Sequence, residues 1–79
     1  MPKADFDLEL DLKDLACPMP MVRVSQNITK VPVGGVVKAV TTDEHSLEDI
    51  PAWAAATGNE IVSADKRGKN YVIFIRRVK

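Results

Sequence analysis

Two prolines separated by one residue, Pro18 and Pro20, limit the structures open to this chain more than any other feature. Proline lacks a backbone N–H and has a fixed φ, so it disrupts helix interiors and central strands but fits the first turn of a helix. Apolar residues then recur at helical spacing: Met21, Val24, Ile28 and Val31. We therefore predict an amphipathic helix that begins at the proline pair.

The segment before the prolines has the period of a strand. The apolar residues there alternate with charged ones, which are mostly acidic. The apolar positions are Phe6, Leu8, Leu10 and Leu12. Such alternation is typical of a strand with one buried and one wet face. The acidic outer row suits an edge strand, because charge discourages pairing with other chains.

A second strand and a second helix can be assigned with turn signals between them. Val33, Gly34 and Gly35 predict a turn, and the β-branched residues of 36–42 predict a second strand. Ser46 can cap a turn, and we predict either a short turn over 46–48 that leads into a second helix near Asp49, or a kinked helix. In both cases Pro51 belongs to a first turn, and the helix ends at Gly58.

The last two predicted strands, 60–66 and 70–78, are joined by a hairpin through 67–69. The final strand is apolar on both faces over 72–75, which predicts a place inside the sheet. The order βαβαββ is compatible with an α/β (α+β) fold. It would be a two-layer sandwich in which a mixed four-stranded sheet carries two helices on one face, in a single domain over 1–79. The sequence does not fix the order of the strands.

Charge and cysteine content exclude several classes of function. Eleven basic and eleven acidic side chains give a formal net charge of zero, which argues against direct nucleic-acid binding. The acidic residues crowd the N-terminus and the basic ones the C-terminus, a distribution that can steer partner proteins. One cysteine permits no internal disulfide, so we expect a cytoplasmic protein, and no apolar run is long enough for a membrane span.

That cysteine, Cys17, directly precedes the proline pair. With Pro18 and Pro20 lacking N–H groups, the amides of Met19 and Met21 are the donors that could face a negative sulfur, and the helix dipole acts in the same direction. Both effects favour the thiolate, which is the nucleophilic form. A buried, inert cysteine is the alternative from physics alone.

Other chemistries lack the residues that they need. His45 could act as a base but fits a solvated loop better, and Cys17 with His45, Asp43 and Glu44 makes a poor metal site. A CxxC redox pair is excluded because there is no second thiol. We expect neither a metal nor a cofactor.

Two spaced segments carry a family resemblance. The first contains Leu10 and Asp11 and then runs from Leu15 to Pro20; the second contains Asp43 and runs from Asp49 to Trp53. Together they resemble the TusA/SirA-like sulfur-carrier family with its CPxP motif. Two departures are Asp14, where the family usually has glycine, and alanines at 54–56, where some members have a second cysteine.

The resemblance implies the same two-layer fold and a persulfide on Cys17, with sulfur passing from a cysteine desulfurase or rhodanese to an acceptor sulfurtransferase. The routes are tRNA thiolation, cofactor synthesis or sulfur oxidation, and the protein is a carrier rather than a stand-alone enzyme. Pro18, Met19, Pro20 and Met21 would support the site. Candidate partner contacts are Asp14, Arg23, Asp43, Asp49 and Trp53. The alternative is a regulatory or nucleic-acid-binding module, or an interaction domain, with a non-reactive cysteine.

Overall fold

The computed structural model describes residues 6–16 and 18–79. Along the chain it contains β1 (Leu8–Leu12), α1 (Met19–Asn27), a 3₁₀ turn (Ile28–Lys30), β2 (Val36–Thr41), α2 (Ser46–Thr57), β3 (Glu60–Arg67) and β4 (Asn70–Arg76). The predicted βαβαββ order is therefore confirmed. Within these ranges neither helix is long and apolar enough to cross a bilayer.

The sheet is mixed and has the strand order β1-β2-β4-β3. β1 pairs with β2 in parallel, while β4 is antiparallel to both β2 and β3. β1 lies at an edge and β4 inside, as predicted. In register, Leu12 lies opposite Thr41, Thr41 opposite Tyr71, and Tyr71 opposite Lys66. The ends of β1 and β2 and the β3–β4 hairpin therefore share one end of the sheet.

Both helices cover the same face of the sheet, as predicted. The hydrophobic core draws its buried side chains from both helices, the turn after α1 and three strands: Leu12, Val24, Ile28, Val31, Val37, Ala39, Ile50, Ile73 and Ile75. The stripe predicted for α1 is part of this core, because Val24, Ile28 and Val31 are buried in it. The β1–α1 and β2–α2 connections both leave the sheet from the same end.

The alternation predicted from Phe6 does not extend to Phe6 itself. The strand begins at Leu8, and the Phe6 ring lies 6.3 Å from the Phe74 ring, with Lys38 Nζ 5.1 Å from its centre. Lys38 and Phe74 pair in register on the face opposite the core. The cause is local: the Asp7 N–H donates to the Val36 carbonyl, and an Asp7 carboxylate oxygen accepts the Val36 N–H. These bonds hold the chain before the strand, so that Phe6 covers the open face.

The second helix begins earlier than predicted. Pro51 lies inside α2, not in its first turn, and the N-cap is His45, not Ser46. The loop carbonyls of Asp43, Glu44 and His45 accept the amides of the first helical residues, which starts the helix ahead of the proline. The predicted end is confirmed, since Gly58 is left-handed with a φ of 79°.

Candidate functional site

The candidate site is the connection between β1 and α1. Cys17 lies outside the described residues, so the site is defined by its neighbours in sequence. Ala16 and Pro18 are both exposed. Pro18 is the N-cap of α1, with a φ of −97° and a ψ of 14°. The connection therefore reaches the N-terminus of a helix through exposed residues.

The backbone of this connection is tied to the neighbouring loop. Asp14 is in the left-handed region with a φ of 67°, and its N–H donates to the Thr42 hydroxyl at 3.0 Å. The Leu15 N–H donates to the Leu12 carbonyl at 3.3 Å. Because β1 and β2 are parallel, their carboxyl ends meet at one edge of the sheet. The bond from Asp14 to Thr42 therefore joins the two loops that follow these strands.

The proline pair sets the first turn of α1. Pro20 is buried within that turn, where its missing N–H removes no helical hydrogen bond. The expectation that the Met19 amide is free is wrong: its N–H donates to the Ala16 carbonyl at 2.8 Å. Within the described ranges the Met21 amide has no acceptor. Of the two predicted donors, the amides of Met19 and Met21, only the Met21 amide therefore remains.

The loop after β2 is held by its own polar side chains. The hydroxyl of the buried Thr41 accepts the Asp43 N–H at 3.1 Å. One Asp43 carboxylate oxygen accepts the His45 N–H at 3.1 Å and lies 3.2 Å from the imidazole Nδ1. The other oxygen is buried and has no partner within residues 6–16 and 18–79. Asp43 therefore shapes the start of α2.

His45 lies in the loop between β2 and α2. Its side chain is 68% exposed and is turned to Asp43. Among the residues described, no three His, Cys, Asp or Glu side chains come close enough to hold a metal ion. The exposed imidazole fits the solvated loop position predicted for it.

A shallow apolar groove of about 470 Å³ runs between the two helices, starting at Pro18. Its lining includes Met21, Asp49 and Trp53, all half-buried, with alanines of α2 between them. Met21 and Trp53 also pack against the core. Met19 is 40% exposed. The groove therefore offers apolar surface next to the cysteine in sequence.

The predicted partner residues do not form one cluster. Asp49 and Trp53 share the groove with Pro18 and Met21, whereas Arg23 is exposed and lines a separate hollow with Leu15 and other residues of the β1 end. Asp14 and Asp43 lie in the two tied loops. The structure thus places Asp49 and Trp53 together and leaves Arg23 apart from them.

Sequence analysis missed two features of this end of the sheet. The first is that the Thr42 hydroxyl accepts the Asp14 N–H. The second is that Tyr71 pairs with both Thr41 and Lys66, which places the cations of the β3–β4 hairpin level with the two loops. Neither has a signal in the sequence by itself, because both depend on strand order and register. The basic residues at 66–69 can be recognised in the sequence. The end of the sheet at which they lie cannot be.

A family model and several known proteins are similar to this chain. The family described as sulfurtransferase TusA matches residues 8–77. The chain is 35% identical over 74 residues to the sulfur carrier protein TusA of Allochromatium vinosum, covering 94% of this chain and 97% of that one. It is 32% identical over 71 residues to the TusA of Pseudomonas syringae, covering 90% and 84% of the two chains.

A solved structure is similar in fold. The SirA-like protein from Desulfitobacterium hafniense superposes with a TM-score of 0.74, covering 92% of this chain and 100% of that one at 20% identity. The shared architecture is the mixed four-stranded sheet with two helices described above. At this identity the likeness speaks for the fold alone.

Proposed function

This chain belongs to the TusA family of sulfur carriers, and from that membership we propose that it carries sulfane sulfur as a persulfide on Cys17. The Cys17 thiolate attacks the terminal sulfur of a donor persulfide. A new S–S bond forms to Cys17, the donor's own S–S bond breaks, and the donor thiolate leaves with the electron pair. The step is redox-neutral, so it needs no cofactor.

One observation carries the proposal: the residues on both sides of Cys17 are exposed at the start of a helix. A helix N-terminus favours negative charge, and the Met21 amide has no acceptor within the described part of the chain. A thiolate or a persulfide anion suits such a position. Pro18 and Pro20 stiffen the turn, and the Met19 N–H donates to the Ala16 carbonyl.

The chemistry is that of a carrier and not of a complete enzyme. The chain has one cysteine, so no resolving thiol of its own accompanies the nucleophile. A persulfide formed here would wait for an acceptor. We place the protein in the cytoplasm, where thiols stay reduced.

The partners proposed for Cys17 are proteins. A cysteine desulfurase or a rhodanese would donate sulfur, and an acceptor sulfurtransferase would take it for tRNA thiolation, cofactor synthesis or sulfur oxidation. The apolar groove that starts at Pro18 supports this proposal, since Trp53 and Met21 supply the adaptable apolar surface that transient partners use. Asp49 lines the same groove.

Intact mass measurement tests the function. The protein is incubated with polysulfide, or with a cysteine desulfurase and cysteine, and we expect a gain of one sulfur atom that a reductant removes. Cys17→Ser should show no gain under either condition. Met19→Leu, a change at an exposed neighbour, is the matched control and should load like the wild type.

Two outcomes would contradict the proposal. A wild type that gains no sulfur from either source has no carrier thiol. Equal labelling of Cys17→Ser would show that sulfur is held elsewhere or only adsorbed.

A further inference from the structure

The β3–β4 hairpin carries a concentrated positive charge at its tip, which we define as Lys66, Arg67, Gly68 and Lys69. The three cations are all exposed. Gly68 has a φ of 63°, so a tight turn holds Arg67 and Lys69 close together. In a chain of zero formal net charge, this is a strong local field.

Among the residues that the structure describes, these cations have no carboxylate partner. Within residues 6–16 and 18–79, the ion pairs of the chain use Lys13, Lys38, His45 and Arg76 instead. Lys66 lies over the Tyr71 ring, with Nζ 5.9 Å from its centre. The charge of the tip is therefore directed outward and is not neutralised by its own surface.

A surface of opposite charge lies next to the tip. We call it the acidic rim and define it as Glu44 and Glu48, which are exposed at the start of α2. They line a hollow with His45, Leu47 and Tyr71. Tyr71 thus lines the hollow of the acidic rim, and its ring also contacts Lys66 of the tip. Positive and negative patches adjoin through a partly apolar seam.

Both patches lie at the end of the sheet that bears the sulfur site. Thr41 at the end of β2 pairs with Tyr71, and Leu12 at the end of β1 pairs with Thr41. Three strand spacings of about 4.8 Å place the tip roughly 14 Å from the end of β1. A partner that buries a standard area of about 800 Å² on this chain would cover that span.

We propose that the hairpin tip binds an acidic patch on the protein that exchanges sulfur with this chain, while the acidic rim meets a basic patch on the same partner. The inference rests on the carrier function proposed above. The adjoining positive and negative patches favour a protein partner over RNA, because the RNA phosphates attracted to the tip would be repelled by Glu44 and Glu48. A protein surface can present both signs in the matching order.

The test compares two double variants of equal charge change. Arg67→Glu with Lys69→Glu reverses the tip but keeps Lys66 on Tyr71. Lys30→Glu with Lys79→Glu reverses two exposed cations at the opposite end of the molecule. Each protein is loaded with sulfur from polysulfide, from a cysteine desulfurase with cysteine, and from a rhodanese with thiosulfate, at low and high salt.

We expect the tip variant to load from polysulfide at the wild-type rate and from the protein donor roughly tenfold more slowly at low salt. The opposite-end variant should match the wild type throughout. Added salt should slow loading of the wild type by the protein donors and reduce the difference between the wild type and the tip variant, because screening weakens both the attraction and the introduced repulsion.

Several results would overturn the inference. One is equal loading of both variants by the protein donors; another is a wild type that loads from polysulfide but from neither protein. A tip variant that loads normally but loses low-salt binding to a transfer RNA would assign the tip to RNA. If none of the three sources loads the wild type, the carrier function itself fails, which is a distinct outcome.

Discussion

Asp14 occupies a backbone position that suits glycine. Its φ of 67° lies in the left-handed region, where a Cβ costs roughly 1 to 2 kcal/mol and which aspartate and asparagine tolerate better than other residues. Its N–H bonds to Thr42 whatever the side chain is. The usual glycine of the family at this position is therefore explained by conformation, and the charge of Asp14 is incidental to it.

The first prediction follows from that angle. Asp14→Ala should lower the free energy of unfolding by about 1 kcal/mol, because alanine is strained there, whereas Asp14→Gly should not lower it. Urea denaturation followed by circular dichroism measures both variants. Asp14→Asn is the control for charge and should resemble the wild type. An equal loss for glycine and alanine would mean that the carboxylate, not the backbone angle, stabilises the loop.

The amide of Met19 shows where residue-level inference from sequence fails. The proline pair correctly located the first turn of α1, because missing N–H groups can be seen in a sequence. Which of the remaining amides is free depends on the path of the preceding loop, and Ala16 turns its carbonyl toward Met19. Of the Met19 and Met21 amides, only that of Met21 is without an acceptor within the described ranges, as predicted.

At the scale of elements, one arginine joins the turn after α1 to the end of the chain. The Arg77 guanidinium donates to the Val31 carbonyl at 2.7 Å, to the Thr29 carbonyl at 3.4 Å and to the Lys79 carbonyl at 2.8 Å. Its backbone bonds to Gly34 and Gly35. Arg77 thus satisfies carbonyls that the end of a helix leaves without donors.

The second prediction compares adjacent arginines. Arg77→Ala should cost about 1.5 to 3 kcal/mol of unfolding free energy, because charged hydrogen bonds are lost, above all the one to the partly buried Val31 carbonyl. Arg76→Ala removes a surface ion pair with Glu60, 2.8 Å long and half-exposed on both sides, and should cost less than about 1 kcal/mol. Thermal and urea unfolding measure both; similar losses would show that Arg77 does not join the two elements.

The elements themselves were largely predictable, and the exception has a physical reason. Local signals such as Gly58 and the apolar run of β4 act over a few residues, so the end of α2 and the inner strand were predicted correctly. Pro51 was assigned to a first turn from its intrinsic cost in a helix interior. The loop carbonyls around Asp43 and His45 start α2 upstream of the proline, and no propensity reports where those carbonyls point.

At the scale of the whole molecule, the strand order is what gives separate sequence features a common location. The layers followed from the βαβαββ pattern, but β1-β2-β4-β3 did not, because crossover rules allow more than one arrangement. That order brings the residues around Cys17, the acidic rim and the hairpin tip to one end. Phe6 likewise covers the open face through a bend that alternation does not predict.

The third prediction concerns the two faces of the sheet. Val37 is 0% exposed under the helices, whereas Val40 on the same strand is half-buried on the open face. Val37→Ala should lower the unfolding free energy by about 2 kcal/mol and Val40→Ala by less than about 1, because only the first opens a cavity in the core. The loss of strand propensity is the same in both, so the difference between their urea midpoints isolates burial. Equal losses that persist at two protein concentrations would show that the open face is as well packed as the core and that the two-layer description is wrong.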